Sequence, residues 1–121
     1  MTTIFPVTVS FRDMTSSVAV EEYARSKAGR LARFCGEIQH CRVLIEVPQR
    51  RHHQGRRYHV RVEVAVAGGD LVVSTNDDAQ EALLACIDTA FASAQRLVTE
   101  YASRRRRELR GDNASVRGLE P

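Results

Sequence analysis

The chain has 121 residues, 43% hydrophobic and 27% charged, with 7 Gly and 3 Pro. That balance suits one globular domain with its own core, and it excludes both a disordered chain and a pair of domains. No apolar run reaches the ~20 residues of a membrane span. The opening MTTIFPVTVS lacks the basic segment and apolar stretch of a secretory signal, so a cytoplasmic protein is expected. Cys35, Cys41 and Cys86 are an odd number without a CxxC pair, which argues against a disulfide framework and against a zinc knuckle.

The net charge of +3 is mild but segregated. Residues 1–60 carry ten Lys/Arg against five Asp/Glu, 61–103 carry two against seven, and 104–121 carry six against three. Separation of this kind is expected of a surface that meets an anionic partner. Only Lys27 of the 18 basic residues is lysine. Arginine's planar fork suits phosphate, although a GC-rich coding sequence produces the same bias.

The pattern predicts a strand first. Over 4–11, Phe5, Val7, Val9 and Phe11 fall on one face and Thr8 and Ser10 on the other. Thr15, Ser16 and Ser17 then offer N-caps for a helix from Val18 to about Cys35, closed by Gly36. Its apolar positions are Val20, Ala24, Ala28 and Leu31, with Arg25, Lys27, Arg30 and Arg33 among them.

Two alternating strands follow, through Cys41, Val43, Ile45 and Val47 and through Tyr58, Val60, Val62, Val64 and Val66. Ala67-Gly68-Gly69-Asp70 predicts a hairpin turn, and Leu71–Val73 a short fourth strand. A second helix is expected from Asp77 to about Arg107, with Asp77/Gln80 or Asp78/Glu81 as a capping box and Leu83, Ile87, Ala90, Ala94, Leu97 and Tyr101 as its stripe. It would be about 45 Å long and would outrun the sheet.

Two helices on one face of a four-stranded, mostly antiparallel sheet bury every apolar stripe. The expected architecture is therefore α+β, in the order β-α-β-β-β-α. Residues 1–107 form the single domain and 108–121 a flexible C-terminal tail.

Candidate chemistry is thin, and no enzyme is expected. Ser16, Ser17, Ser74 and Ser93 lack any nucleophile signature, and the cysteines sit on or beside apolar faces as inert thiols. His40, His52, His53 and His59 lack ligand spacing, so no metal and no cofactor is expected. Gly68-Gly69 joins two strands and is not a phosphate loop.

Basic clusters carry the signal instead. Lys27, Arg30 and Arg33 recur at i, i+3, i+6, with Arg25 to the side. Arg50, Arg51, Arg56 and Arg57 crowd one connection with His52 and His53, and no acid lies among them. Arg104, Arg105, Arg106 and Arg107 end the second helix, with Arg96 upstream. Mutual repulsion of this kind is relieved by phosphates, so these residues are the candidate RNA-binding set. With 3 Tyr and 4 Phe, mostly at core positions, contact through phosphate and shape is expected rather than base stacking.

In their order, VEEYARSKAGRLARF (20–34), RRYHVRVEVAVAGGDLVV (56–73) and NDDAQEALLACIDTAF (76–91), with its Ile87-Asp88 pair, give a resemblance over about Val7 to Arg107. The chain resembles the ribosome hibernation-promoting factor and ribosome-associated translation inhibitor family, also called sigma-54 modulation proteins, in its short form. The resemblance implies a β-α-β-β-β-α domain that binds the small ribosomal subunit and its rRNA in the mRNA–tRNA channel and silences ribosomes under stress. It places Lys27, Arg30 and Arg33 at the family's basic rRNA-contacting positions.

The sequence departs from the family's pattern at Ser93 and Glu100, which stand where further lysines are usual, and in a richer 50–57 segment. Only 14 residues follow Arg107, so the dimerising C-terminal domain of long members is not expected, and a monomer or weak homodimer is. No small-molecule substrate and no membrane partner is implied. Two other readings stay open: a stand-alone binder of structured RNA, and a protein-interaction module using Asp77, Asp78, Glu81 and Asp88.

Overall fold

The structure, a computed structural model, describes residues 5–47, 58–75 and 83–119, with side chains through Leu109. Its elements run β1 (Val7–Arg12), α1 (Val18–Arg30), a 3-10 turn (Leu31–Arg33), β2 (His40–Glu46), β3 (His59–Val66), β4 (Gly69–Thr75) and α2 (Leu83–Leu119). The sheet order is β1-β2-β3-β4, with β1 parallel to β2 and the other pairs antiparallel. A parallel neighbour requires a crossover, and α1 supplies it.

Period-2 alternation sorts the strands into two faces. Three cross-strand rows point toward the helices: Phe11–Ile45–Val60–Thr75, Val9–Val43–Val62–Val73 and Val7–Cys41–Val64–Leu71. Ala24, Ala28 and Leu31 of the first helical segment and Cys86, Ile87, Ala90, Ala94 and Val98 of α2 close over them. α1 packs on β1, and α2 packs on β3 and β4. Burial of these rows at about 25 cal/mol per Å² of apolar surface is the main force holding the layers together. The expected order, sheet and one-sided helix layer are all present.

Three boundaries differ from expectation. α1 does not run on to Cys35 under a left-handed Gly36 cap; it tightens into the 3-10 turn, where Phe34 N–H donates to Leu31 O at 2.9 Å. β4 spans seven residues rather than three, because Ala67-Gly68 alone make the turn. Gly68 (φ 95°) and Gly69 (φ 151°) adopt backbone that L side chains avoid, with open space around each Cβ direction, so conformation and not crowding calls for glycine there.

The backbone of α2 continues as helix through Leu119, past the expected end near Arg107. At 37 residues it is about 55 Å long, twice the ~25 Å of its strands. The overhang is exposed from Arg106 to Leu109. The proposed capping box lies outside the described residues.

Candidate nucleic-acid interface

α1 starts where Ser17 Oγ accepts the Val20 N–H at 3.2 Å, one of the hydroxyl caps that the sequence offers. With its small residues turned inward, the charged ones lie along its flanks and outer side. Arg25 is on the flank beside β1. Its Nη2 lies 2.7 Å from Glu21 Oε2, and its Nη1 donates to the Val7 carbonyl at 2.6 Å. Both ends of this guanidinium are thus engaged within the protein, whereas its neighbours Arg30 and Arg33 have no such partners among the described residues.

Lys27 is on the opposite flank, toward α2. Its Nζ lies 3.1 Å from Asp88 Oδ1 and 5.6 Å from the centre of the Tyr23 ring. Tyr23 donates its hydroxyl to the same Asp88 oxygen at 2.5 Å. That hydrogen bond holds the Asp88 carboxyl below the ordinary carboxylate range; desolvation opposes it, and the Lys27 and Arg30 charges reinforce it. The same bond raises the Tyr23 phenol, because its proton is committed to the carboxylate.

Arg30, Arg33, Arg96, Arg104 and Arg106 are exposed, and none has an acidic partner among the described residues. Arg105 pairs with Glu37 at 3.3 Å, and Arg107 donates to Ser103 Oγ at 3.3 Å. Tyr101 anchors this end of α2 by placing its hydroxyl 3.1 Å from Ala67 O and 3.4 Å from Glu37 Oε1. The structure therefore brings Lys27 to Asp88, with Arg30 three residues further along α1. It sets Arg105 apart beside Glu37. Arg50, Arg51, Arg56 and Arg57 lie outside the described residues.

The helix-free sheet face carries charge that the sequence-level site left out. A depression of about 580 Å³ there is lined in part by Ser10, Arg12, Arg42, His59, Arg61 and Glu63. Its arginines meet acids directly across the strands or along them: Arg12–Glu46 at 3.4 Å, Arg42–Glu63 at 3.5 Å and Arg61–Glu63 at 2.8 Å. His59 Nδ1 also lies 2.7 Å from Glu46 Oε2. Alternation with valines predicts only a solvated polar face for these side chains; the cross-strand register, which the sequence does not display, creates the pairs. This face is close to charge-balanced, whereas the helix layer holds arginines without acids. No helix among the described residues is long and apolar enough to cross a membrane.

Solved structures of similar shape include two bacterial ones. The Protein Y N-terminal domain of Thermus thermophilus superposes with a TM-score of 0.63 at 21% identity, over 83% of this chain and 99% of that one. A ribosomal subunit interface protein from Coxiella burnetii superposes with a TM-score of 0.64 at 14% identity, over 82% of this chain and 99% of the other. At these identities the likeness establishes the fold alone. No curated protein sequence matches the chain. The family model described as sigma 54 modulation protein / S30EA ribosomal protein matches residues 7–106, from the first residue of β1 through the exposed arginines of α2. With most of its length so matched and its fold in agreement, the chain belongs to the sigma 54 modulation protein / S30EA ribosomal protein family.

Proposed function

We propose that this protein is a non-enzymatic translation inhibitor that binds the small ribosomal subunit and occupies the channel used by mRNA and tRNA. The family match over residues 7–106 carries this reading. The names of the two structural neighbours, one of them a ribosomal subunit interface protein, are in keeping with it.

The chemistry is consistent. Arg30 and Arg33 close the first helical segment without acidic partners among the described residues, and Arg96, Arg104 and Arg106 do the same along α2. Guanidinium groups held by a rigid helix layer grip phosphates at fixed spacing, while the sheet behind them supplies bulk. Inhibition is then competition for space: the domain fills the channel and needs no catalytic group.

The test is sedimentation of lysate through sucrose gradients at low and high salt, with detection of this protein. Comigration with small subunits or whole ribosomes that is lost at high salt is expected. If about six phosphates are neutralised, affinity falls about a thousandfold between 50 and 200 mM salt. Recovery only at the top of the gradient at both salts would overturn the reading. Equal affinity for free duplex RNA and for ribosomes would replace it with a general binder of structured RNA.

A further inference from the structure

Where α1 meets α2, a carboxylate stands at a place whose surrounding side chains suit a phosphate. Two donors, the Tyr23 hydroxyl at 2.5 Å and Lys27 Nζ at 3.1 Å, converge on one oxygen, Asp88 Oδ1. The Asp88 side chain is nevertheless 49% exposed and that of Lys27 24%, so solvent reaches the place where they meet. Arg30 stands three residues beyond Lys27 on α1, a spacing that sets the two side chains beside each other on the helix surface, and it is exposed. An ammonium, a phenol hydroxyl and a guanidinium form a donor set that takes a carboxylate oxygen or a phosphate oxygen equally well.

We propose that Lys27, Tyr23 and Arg30 form a phosphate-oxygen site at this junction of the helices, that Asp88 occupies it in the free protein, and that a nucleic-acid phosphate binds by displacing the Asp88 carboxylate. The inference rests on the nucleic-acid reading above and gives it a selection rule. Each phosphate that enters exchanges an internal ion pair for an external one, so a single contact gains little. Binding becomes favourable where several phosphates reach Lys27, Arg30 and Arg33 together, as on a folded RNA surface. Asp88 is thus a positioning residue that suppresses attachment to arbitrary polyanions.

A purely structural clamp between the helices makes a different prediction, because it depends on the hydrogen bond and not on the charge. Asp88→Asn keeps a carbonyl acceptor for Tyr23 and removes the charge that competes with phosphate. Binding of a short RNA duplex is measured for the wild type, Asp88→Asn, and the control Glu22→Gln, which removes an exposed acid from α1. Asp88→Asn is expected to bind about three- to fivefold tighter at ~0.1 M salt, with a log–log salt slope steeper by about 0.9, the value for one more net cation released, because no freed carboxylate takes one up when the phosphate enters. The control is expected to gain less than about twofold. Adding Lys27→Gln to Asp88→Asn is expected to abolish the gain.

Equal binding by the wild type and Asp88→Asn, tight or undetectable, overturns the proposal. So does an equal gain in the control, or a gain that survives loss of Lys27. If Asp88→Asn fails to fold, the carboxyl carbon resonance of Asp88 in the wild type decides: it is expected to shift as duplex is added, and an unmoved resonance at the highest duplex concentration reached overturns the site. Comigration of the wild type with ribosomes is read separately, so this site and the ribosome reading fail independently.

Discussion

Arg25 Nη1 donates to the Val7 carbonyl oxygen at 2.6 Å, so the outermost parallel strand is held by a side chain from the helix that crosses over it. The same guanidinium reaches Glu21 one turn back. A basic residue that a charge census assigns to an anionic partner is here part of the fold.

Arg25→Ala is accordingly expected to cost about 1 kcal/mol of stability, the scale of a half-exposed charge-assisted hydrogen bond. Affinity for ribosomes, measured well below the melting temperature, should change less than for a change at Arg33. Urea unfolding together with cosedimentation separates the two effects. A large loss of affinity at unchanged stability would show that Arg25 serves the interface instead.

Arg30→Glu with Arg33→Glu should behave in the opposite way. Both side chains are exposed, so stability is expected to stay within about 0.5 kcal/mol of the wild type. The log–log salt slope for RNA binding should become shallower by about 1.8, the value for two lost phosphate contacts. An unchanged slope would remove this end of the first helical segment from the interface.

Burial pushes the Cys41 thiol up to about 12. The unfolded chain ionises it near ~8.5, so the folded state retains a proton that the unfolded state has lost. Stability from this group is therefore complete below ~8.5 and is lost as pH rises toward the folded value. Chemical denaturation at pH 7 and at pH 10 is expected to differ by about 1–2 kcal/mol more in the wild type than in Cys41→Ala. Alkylation of Cys35, Cys41 and Cys86, all buried, should follow global unfolding.

Ile45 is fully buried on the inner strand β2, between Phe11 and Val60. Ile45→Ala is expected to lose about 3 kcal/mol through lost transfer energy and the cavity left behind. An equilibrium denaturation curve should show a lower midpoint at the same slope. A loss under about 1 kcal/mol would mean that the helix layer collapses onto the gap.

How much the sequence displays differs by element. The long strands are legible because their valines alternate against Arg42, Arg61 and Glu63, and a one-residue slip would expose every valine. The ends of β4 are not, since Gly69, Asp70 and Ser74 look like loop residues until β3 supplies a partner for each. Ser17 is recognisable as a cap because that interaction is local, whereas the 3-10 ending at Leu31–Arg33 depends on how Leu31 enters the core.

The basic flank of α1 is likewise visible, but its division is not. Arg25 finds Val7 and Lys27 finds Asp88 only after the chain has folded back on itself. The i, i+4 spacing of Tyr23 and Lys27, set against an acid beside the stripe of α2, is the one local hint of that meeting.

The mixed sheet also dictates an order of assembly. β2 pairs with β3 and β3 with β4, and β3–β4 needs only the Ala67-Gly68 turn, so this meander can form from near neighbours. β1 cannot join until α1 has formed and crossed the sheet, because its register runs parallel to β2 and its Val7 carbonyl waits for Arg25. The first strand of the chain is thus expected to be the last strand to dock, and its amides to open to solvent before those of β2 and β3 when the protein loosens.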